Sequence, residues 1–240
     1  MAELIRPSTV LPAERHPITI LTKDGLKLIG EVASPPGSSL DQIAGSLLCL
    51  HPNPAGGGMM DSHIYKKAAN RLPAMAGIQV IRFNTRGTTS DAGTSEGIFD
   101  NGEAEEADVH AAINYCFNQL KVEKLWVTGW SFGTDLALRY AKDPRIAGLI
   151  LLSPPMQRTK DSDLEFWQSD SRPVIAFVPE HDEYLNPAQA AIRFKDFPRL
   201  NLVPVEGAKH LWVGEPYVHL ILSEITRQIA PEALPLPTEY

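Results

Sequence analysis

The pentapeptide Gly129-Trp130-Ser131-Phe132-Gly133 carries the strongest chemical signal in the sequence. It follows an apolar run ending at Thr128 and precedes a helical pattern. At such a junction two glycines, having no Cβ, let the strand turn abruptly into the helix and leave the serine hydroxyl at the tip. A serine is a weak nucleophile until a neutral imidazole takes its proton and an acid holds that imidazole in the right tautomer. On an elbow of this kind the acid and then the histidine follow the serine along the chain, each after a later strand. Two loops fit: Pro179-Glu180-His181-Asp182-Glu183 after the run Val174 to Val178, and Glu206-Gly207-Ala208-Lys209-His210 after Leu202 to Val205. Asp182 is the expected acid, with Glu180 and Glu183 as rivals. His210 is the expected base. His181 adjoins the acid and precedes the required strand, and His219 falls in the closing helix.

Acyl chemistry also needs backbone N–H groups aimed at the developing oxyanion. Phe132, at the start of the helix after the serine, supplies one. The other is expected from His51-Pro52-Asn53-Pro54, the loop after the apolar run Ser46 to Leu50. Neither proline has an N–H, so the Asn53 N–H is the only donor between His51 and Ala55. Gly56, Gly57 and Gly58 let that loop fold tightly. Trp130, Met59, Met60 and Trp212 lie next to these segments and are expected to line a substrate pocket, although Trp130 and Phe132 have an equal claim to the core beneath the elbow.

These groups need elements to hold them. Short apolar runs alternate with amphipathic stretches, the pattern of strand-helix-strand units in a largely parallel sheet. A hairpin is expected first, Ile18 to Thr22 and Leu26 to Val32 around Asp24-Gly25. The strand at Ser46 to Leu50 follows, then a helix from Ser62 to Leu72 capped by Asp61 and a strand from Ile78 to Phe83. Asn84 to Gly97 reads as loop. A helix opening near Asp100 and Asn101 has an acidic, solvated first turn in Glu103, Glu105 and Glu106. Beyond it come strands at Leu125 to Thr128 and Ile146 to Leu152, either side of a helix from Phe132 to Ala141, then the two late strands and a helix from Tyr217 to Ile229. A Pro-rich tail is expected from Pro231 to the end. The insertion 153–172 is too short for a cap domain, and Phe166 and Trp167 would form at most one covering turn.

The chain of 240 residues has 22 basic and 29 acidic side chains and a net charge of −7, so a nucleic-acid partner is not expected. No stretch approaches the roughly 18 apolar residues of a membrane span, and the start, Met-Ala-Glu-Leu-Ile-Arg-Pro, has no apolar leader region, so a cytoplasmic protein is expected. Cys49 and Cys116 read as reduced core thiols. Asp61, His63, His16, His51 and His110 lack zinc-ligand spacing, and no metal is expected. No linker or internal repeat divides the sequence, which implies one α/β domain over 1–240.

The sequence resembles the α/β-hydrolase superfamily, and within it the small, nearly capless bacterial serine hydrolases called carboxylesterase-like or dienelactone-hydrolase-like. The resemblance runs from Gly45 to Ile229 and rests on His51 to Pro54 with its trailing glycines, on Arg82-Phe83-Asn84-Thr85-Arg86-Gly87, on the elbow, and on Gly207-Ala208-Lys209-His210. It implies a mostly parallel twisted sheet of about eight strands with an N-terminal antiparallel hairpin, helices on both faces and a minimal cap. It further implies a triad of Ser131, Asp182 and His210 and no cofactor. Dienelactone hydrolases carry cysteine where this chain has Ser131, so their substrate is not carried over. The function expected is hydrolysis of short-chain carboxylic esters through an acyl-enzyme, with a small-molecule ester or thioester as substrate. Thioesterase, peptidase and acyltransferase chemistry remain open, as does a binding protein on the same fold.

Overall fold

A computed structural model describes residues 4–37, 42–197 and 199–240. Met1, Ala2 and Glu3, which open the segment inspected for a leader, lie outside them. β1 (Glu14–Leu21) and β2 (Lys27–Ser34) form an antiparallel hairpin running from Glu14 opposite Ser34 to Leu21 opposite Lys27. Gly25 turns it with a φ of 88°, a value that side chains resist. Then follow β3 (Gly45–Leu50), α1 (His63–Ala76), β4 (Ile78–Phe83), the two-residue strands β5 (Thr89–Ser90) and β6 (Gly93–Thr94), and α2 (Glu105–Asn118). The second half comprises β7 (Leu125–Trp130), α3 (Phe132–Tyr140), β8 (Ile146–Leu152), α4 (Asp161–Ser169), β9 (Val174–His181), α5 (Pro187–Arg193), β10 (Leu200–Lys209) and α6 (Glu215–Ile229).

Eight strands make one sheet in the order β1-β2-β4-β3-β7-β8-β9-β10. The hairpin joins β4 antiparallel, and every neighbouring pair from β4 to β10 is parallel. The chain steps from β3 outward to β4 and then crosses back to β7 on the other side of β3. Such a reversal point, here at the carboxyl ends of β3 and β7, is where open α/β sheets bind ligands. Strand β3 is buried throughout because both faces are covered. Leu47 and Cys49 pack with Ile64 and Tyr65 of α1 and Ile221 and Ile225 of α6. Leu48 and Leu50 pack with Val109 of α2 and Leu136 of α3 on the opposite face.

Several local expectations are corrected. The residue preceding α1 is Ser62, not Asp61, because the Asp61 carboxylate is taken by Arg82 at 2.7 Å. Glu105 is fully buried rather than solvated: its carboxylate accepts from the Asp100 and Gly102 N–H groups at 2.8 and 2.7 Å, while Glu103 and Glu106 are exposed. Trp167 covers no site. Helix α4 buries it against α3, and its indole donates to the Leu138 carbonyl at 2.8 Å. The segment from Pro231 is no free tail, because Leu236 is buried and the Thr238 carbonyl accepts from the Ile5 N–H at 2.9 Å. Among the described residues no helix is long and apolar enough to cross a membrane.

Candidate active site

Ser131 sits between β7 and α3 with φ 52° and ψ −121°, a backbone conformation that a side chain adopts only under strain. Its N–H donates to the Leu152 carbonyl at 2.9 Å, and its carbonyl accepts from the Thr134 N–H and hydroxyl at 2.8 and 2.7 Å. The flanking glycines are required by close approach. A Cβ on Gly129 would stand 2.3 Å from the Gly133 carbonyl oxygen, and one on Gly133 would stand 2.0 Å from the Leu50 carbonyl oxygen.

The ends of β9 and β10 meet this turn. Ser131 Oγ lies 2.8 Å from His210 Nε2, and His210 Nδ1 lies 2.9 and 3.1 Å from the two carboxylate oxygens of Asp182. An Nδ1–H donated to Asp182 leaves the Nε2 lone pair facing the serine hydroxyl, as proton abstraction requires. The Asp182 and His210 side chains are almost wholly buried, and Ser131 is half-buried. The Tyr184 N–H donates to Asp182 Oδ1 at 2.9 Å and so holds the acid in place. The rival carboxylates lie elsewhere: Glu180 accepts from the Gly207 N–H at 2.8 Å, and Glu183 is exposed. His181 is exposed beside Glu180, and His219 lies on α6, lining a groove with Leu4 and Leu236 away from Ser131.

The backbone of His210 is held by groups that spacing did not reveal. Its carbonyl accepts from the Trp130 indole at 3.2 Å and from the Ser153 hydroxyl at 3.0 Å, and the next carbonyl, of Leu211, accepts from His63 Nε2 at 2.7 Å. Burial lowers the His63 pKa, and the bond to Leu211 partly opposes that shift. These partners lie 57 to 148 residues away in sequence, so no local pattern announces them.

The loop after β3 runs beside the elbow. Asn53 precedes a 3-10 turn over Pro54–Gly56, its side chain accepting from the Ala55 N–H at 3.0 Å and its carbonyl from the Gly56 and Gly58 N–H groups. The Phe132 N–H opens α3 and has no partner within the helix. His51 is buried beneath the loop, with Nδ1 donating to the Pro52 carbonyl at 2.7 Å and Nε2 accepting from the Thr85 N–H at 3.0 Å. Burial pushes its pKa down to about 4. Asn84 accepts from the Met60 N–H at 2.9 Å, so the Asn84-Thr85 pair braces the loop from below.

The expected pocket walls divide. Met59 is half-buried, whereas Met60 is 4% exposed. Trp130 and Trp212 are 2% and 0% exposed and lie in the core shared with α1 and α6, where a substrate at Ser131 cannot touch them. This corrects the expectation that they line the pocket. The Trp130 indole is held by the His210 carbonyl and the Trp212 ring meets Tyr217 edge-on, which keeps both among the core side chains. Among the described residues no group of three or more metal-ligating side chains is gathered.

Residues 45–180 match the family described as alpha/beta hydrolase fold. The chain belongs to that family. Among solved α/β-hydrolase structures, the lidless serine hydrolase XC6422 of Xanthomonas campestris is 25% identical, with a TM-score of 0.74 over 96% of this chain and 100% of that one. A serine hydrolase homologue from Coxiella burnetii shares 23% identity and a TM-score of 0.74 over 90% and 97% of the two chains. The esterase Pf2001 of Pyrococcus furiosus shares the fold at 17% identity, with a TM-score of 0.72 over 93% and 98%. The uncharacterized protein RP471 of Rickettsia prowazekii is 32% identical over 137 residues, 56% of this chain and 55% of that protein. The chain thus spans about half the length of that relative.

Proposed function

We propose that this α/β hydrolase cleaves short-chain carboxylic esters through a covalent acyl-enzyme, with Ser131 as nucleophile, His210 as general base and acid, and Asp182 as the group that orients the imidazole. The 2.8 Å approach of Ser131 Oγ to His210 Nε2 carries this reading. Oγ attacks the acyl carbonyl carbon while Nε2 takes its proton. The tetrahedral oxyanion is met by the N–H groups of Phe132 and Asn53. Collapse breaks the bond to the alcohol oxygen, which leaves with the proton from Nε2. Water then attacks the acyl-enzyme with the same imidazole as base, which releases the acid and restores Ser131. These steps call on no cofactor.

The short-chain preference is supported by what surrounds Ser131. Segment 153–172 packs onto α3, and the two tryptophans nearest the triad are turned into the core. XC6422, a relative of the same size, is described as lacking a lid. A long acyl chain left in water forgoes about 0.8 kcal/mol of burial per methylene. A fluorophosphonate probe is expected to label the wild-type protein and not Ser131→Ala. Turnover of acetyl and butyryl esters should exceed that of octanoyl and palmitoyl esters. A kcat/KM that climbs steadily to the palmitoyl ester overturns the short-chain assignment, and a wild-type protein that the probe leaves unlabelled overturns the nucleophile.

A further inference from the structure

The Tyr184 ring packs against the His210 imidazole, with centroids 4.6 Å apart and planes tilted by 55°. It is not a core residue: Tyr184 is 47% exposed, and its hydroxyl makes no hydrogen bond among the described residues. Its backbone is fixed by the bond from its N–H to Asp182, so the turn that holds the acid also sets the ring against the base. On the turn after His210, Leu211 and Val213 are 55% and 73% exposed. Nine large hydrophobic side chains are exposed among the described residues, and Tyr184 is the one whose ring lies on this imidazole. An exposed aromatic ring held against a reactive group is a surface on which a substrate can pack.

The reaction says which part of the substrate meets them. His210 Nε2 gives its proton to the departing alcohol, so the alcohol half of an ester lies on the imidazole side of Ser131. We propose that the Tyr184 ring forms the subsite for that alcohol and selects esters whose alcohol is aromatic. The inference rests on the ester-hydrolase reading above. A flat aromatic ring can pack on the exposed part of Tyr184, whereas a methyl group offers no ring to pack. Both substrates leave the same acyl-enzyme, so the difference belongs to binding and acylation and is read in kcat/KM.

The test compares benzyl butyrate with methyl butyrate, whose alcohols are of nearly equal acidity and so differ in contacts rather than in leaving-group chemistry. The wild-type protein is expected to favour the benzyl ester by about tenfold in kcat/KM, the scale of one good aromatic contact with its burial. Tyr184→Ala is expected to bring the two esters to within about twofold of each other, and Tyr184→Phe to keep the preference. A wild-type protein that takes the fluorophosphonate label yet shows no benzyl preference overturns the subsite and leaves the hydrolase standing. So does a Tyr184→Ala protein that loses activity equally on both esters, since that is the signature of a loosened Asp182 turn. Loss of the preference in Tyr184→Phe overturns the ring as the selecting group. A protein that neither takes the label nor cleaves either ester overturns both readings.

Discussion

Asp182 and His210 have side chains only 1% and 6% exposed, while Ser131 keeps a half-open face, so in the proposed reaction solvent and substrate would meet Ser131 before either of them. Ser131→Ala and His210→Ala are each expected to lower kcat by about 10⁶, leaving the rate that binding and the oxyanion donors alone provide. Asp182→Asn should cost up to about 10⁴, because an amide favours the wrong imidazole tautomer. Steady-state turnover of a butyryl ester measures all three. If Asp182→Asn were nearly silent while Glu180→Gln was crippled, the acid would be misassigned. A second histidine governs stability instead. Burial holds His51 at about 4, against 6.5 for a free side chain, so the unfolded chain binds this proton first as the pH falls. The stability of the neutral, buried ring is therefore complete above about pH 6.5, declines through the interval down to about pH 4, and changes no further below it, a loss of up to about 3 kcal/mol. Urea midpoints followed across that interval should fall less steeply in His51→Gln than in the wild type, and parallel slopes would contradict the assignment.

The elbow depends on three backbones crossing, and its glycines are packing residues as much as hinge residues. Gly133→Ala places a methyl carbon against the Leu50 carbonyl, and no rotamer relieves a clash between Cβ and backbone. The variant is expected to lose the cooperative melt of the wild type or to melt many degrees lower by circular dichroism. Strands and long helices were legible in the sequence because their periodicity is local. The hairpin, β3, β4, β7, β8 and α6 lie within a few residues of their expected places. The short helix α5 was not foreseen, and α4 appeared only as a covering turn. Helix α5 has only seven residues, and α4, although as long as α3, has no strand-to-helix signal before it and rests on tertiary packing of side chains such as Trp167. The bracing role of Asn84 and Thr85 was equally hidden, since their partners Met60 and His51 lie 24 and 34 residues away.

Across the whole molecule, one sheet with both faces covered brings four loops to the carboxyl ends of its strands and seals one thiol in each of the two cores that flank it. Cys49 and Cys116 are buried, and burial pushes the Cys116 thiol up to about 12 and Cys49 higher still. Iodoacetamide at neutral pH is expected to modify neither cysteine in the folded protein and both in urea, as mass spectrometry reports; rapid alkylation of the native protein would contradict this burial. The sequence by itself determined the reactive types and their order: a serine between two glycines, an acid after one strand, a histidine after the next, and a proline-bounded Asn53 after an earlier one. Those features are covalent, since glycine's missing Cβ and proline's missing N–H act wherever the chain goes. Only the tertiary structure decided which carboxylate stands 2.9 Å from His210, that Trp130 and Trp212 turn into the core, and that Tyr184 lies exposed on the imidazole. Each of these depends on which face of an element is buried and on how far a strand continues, and both are set by neighbours distant in sequence that the sheet brings together.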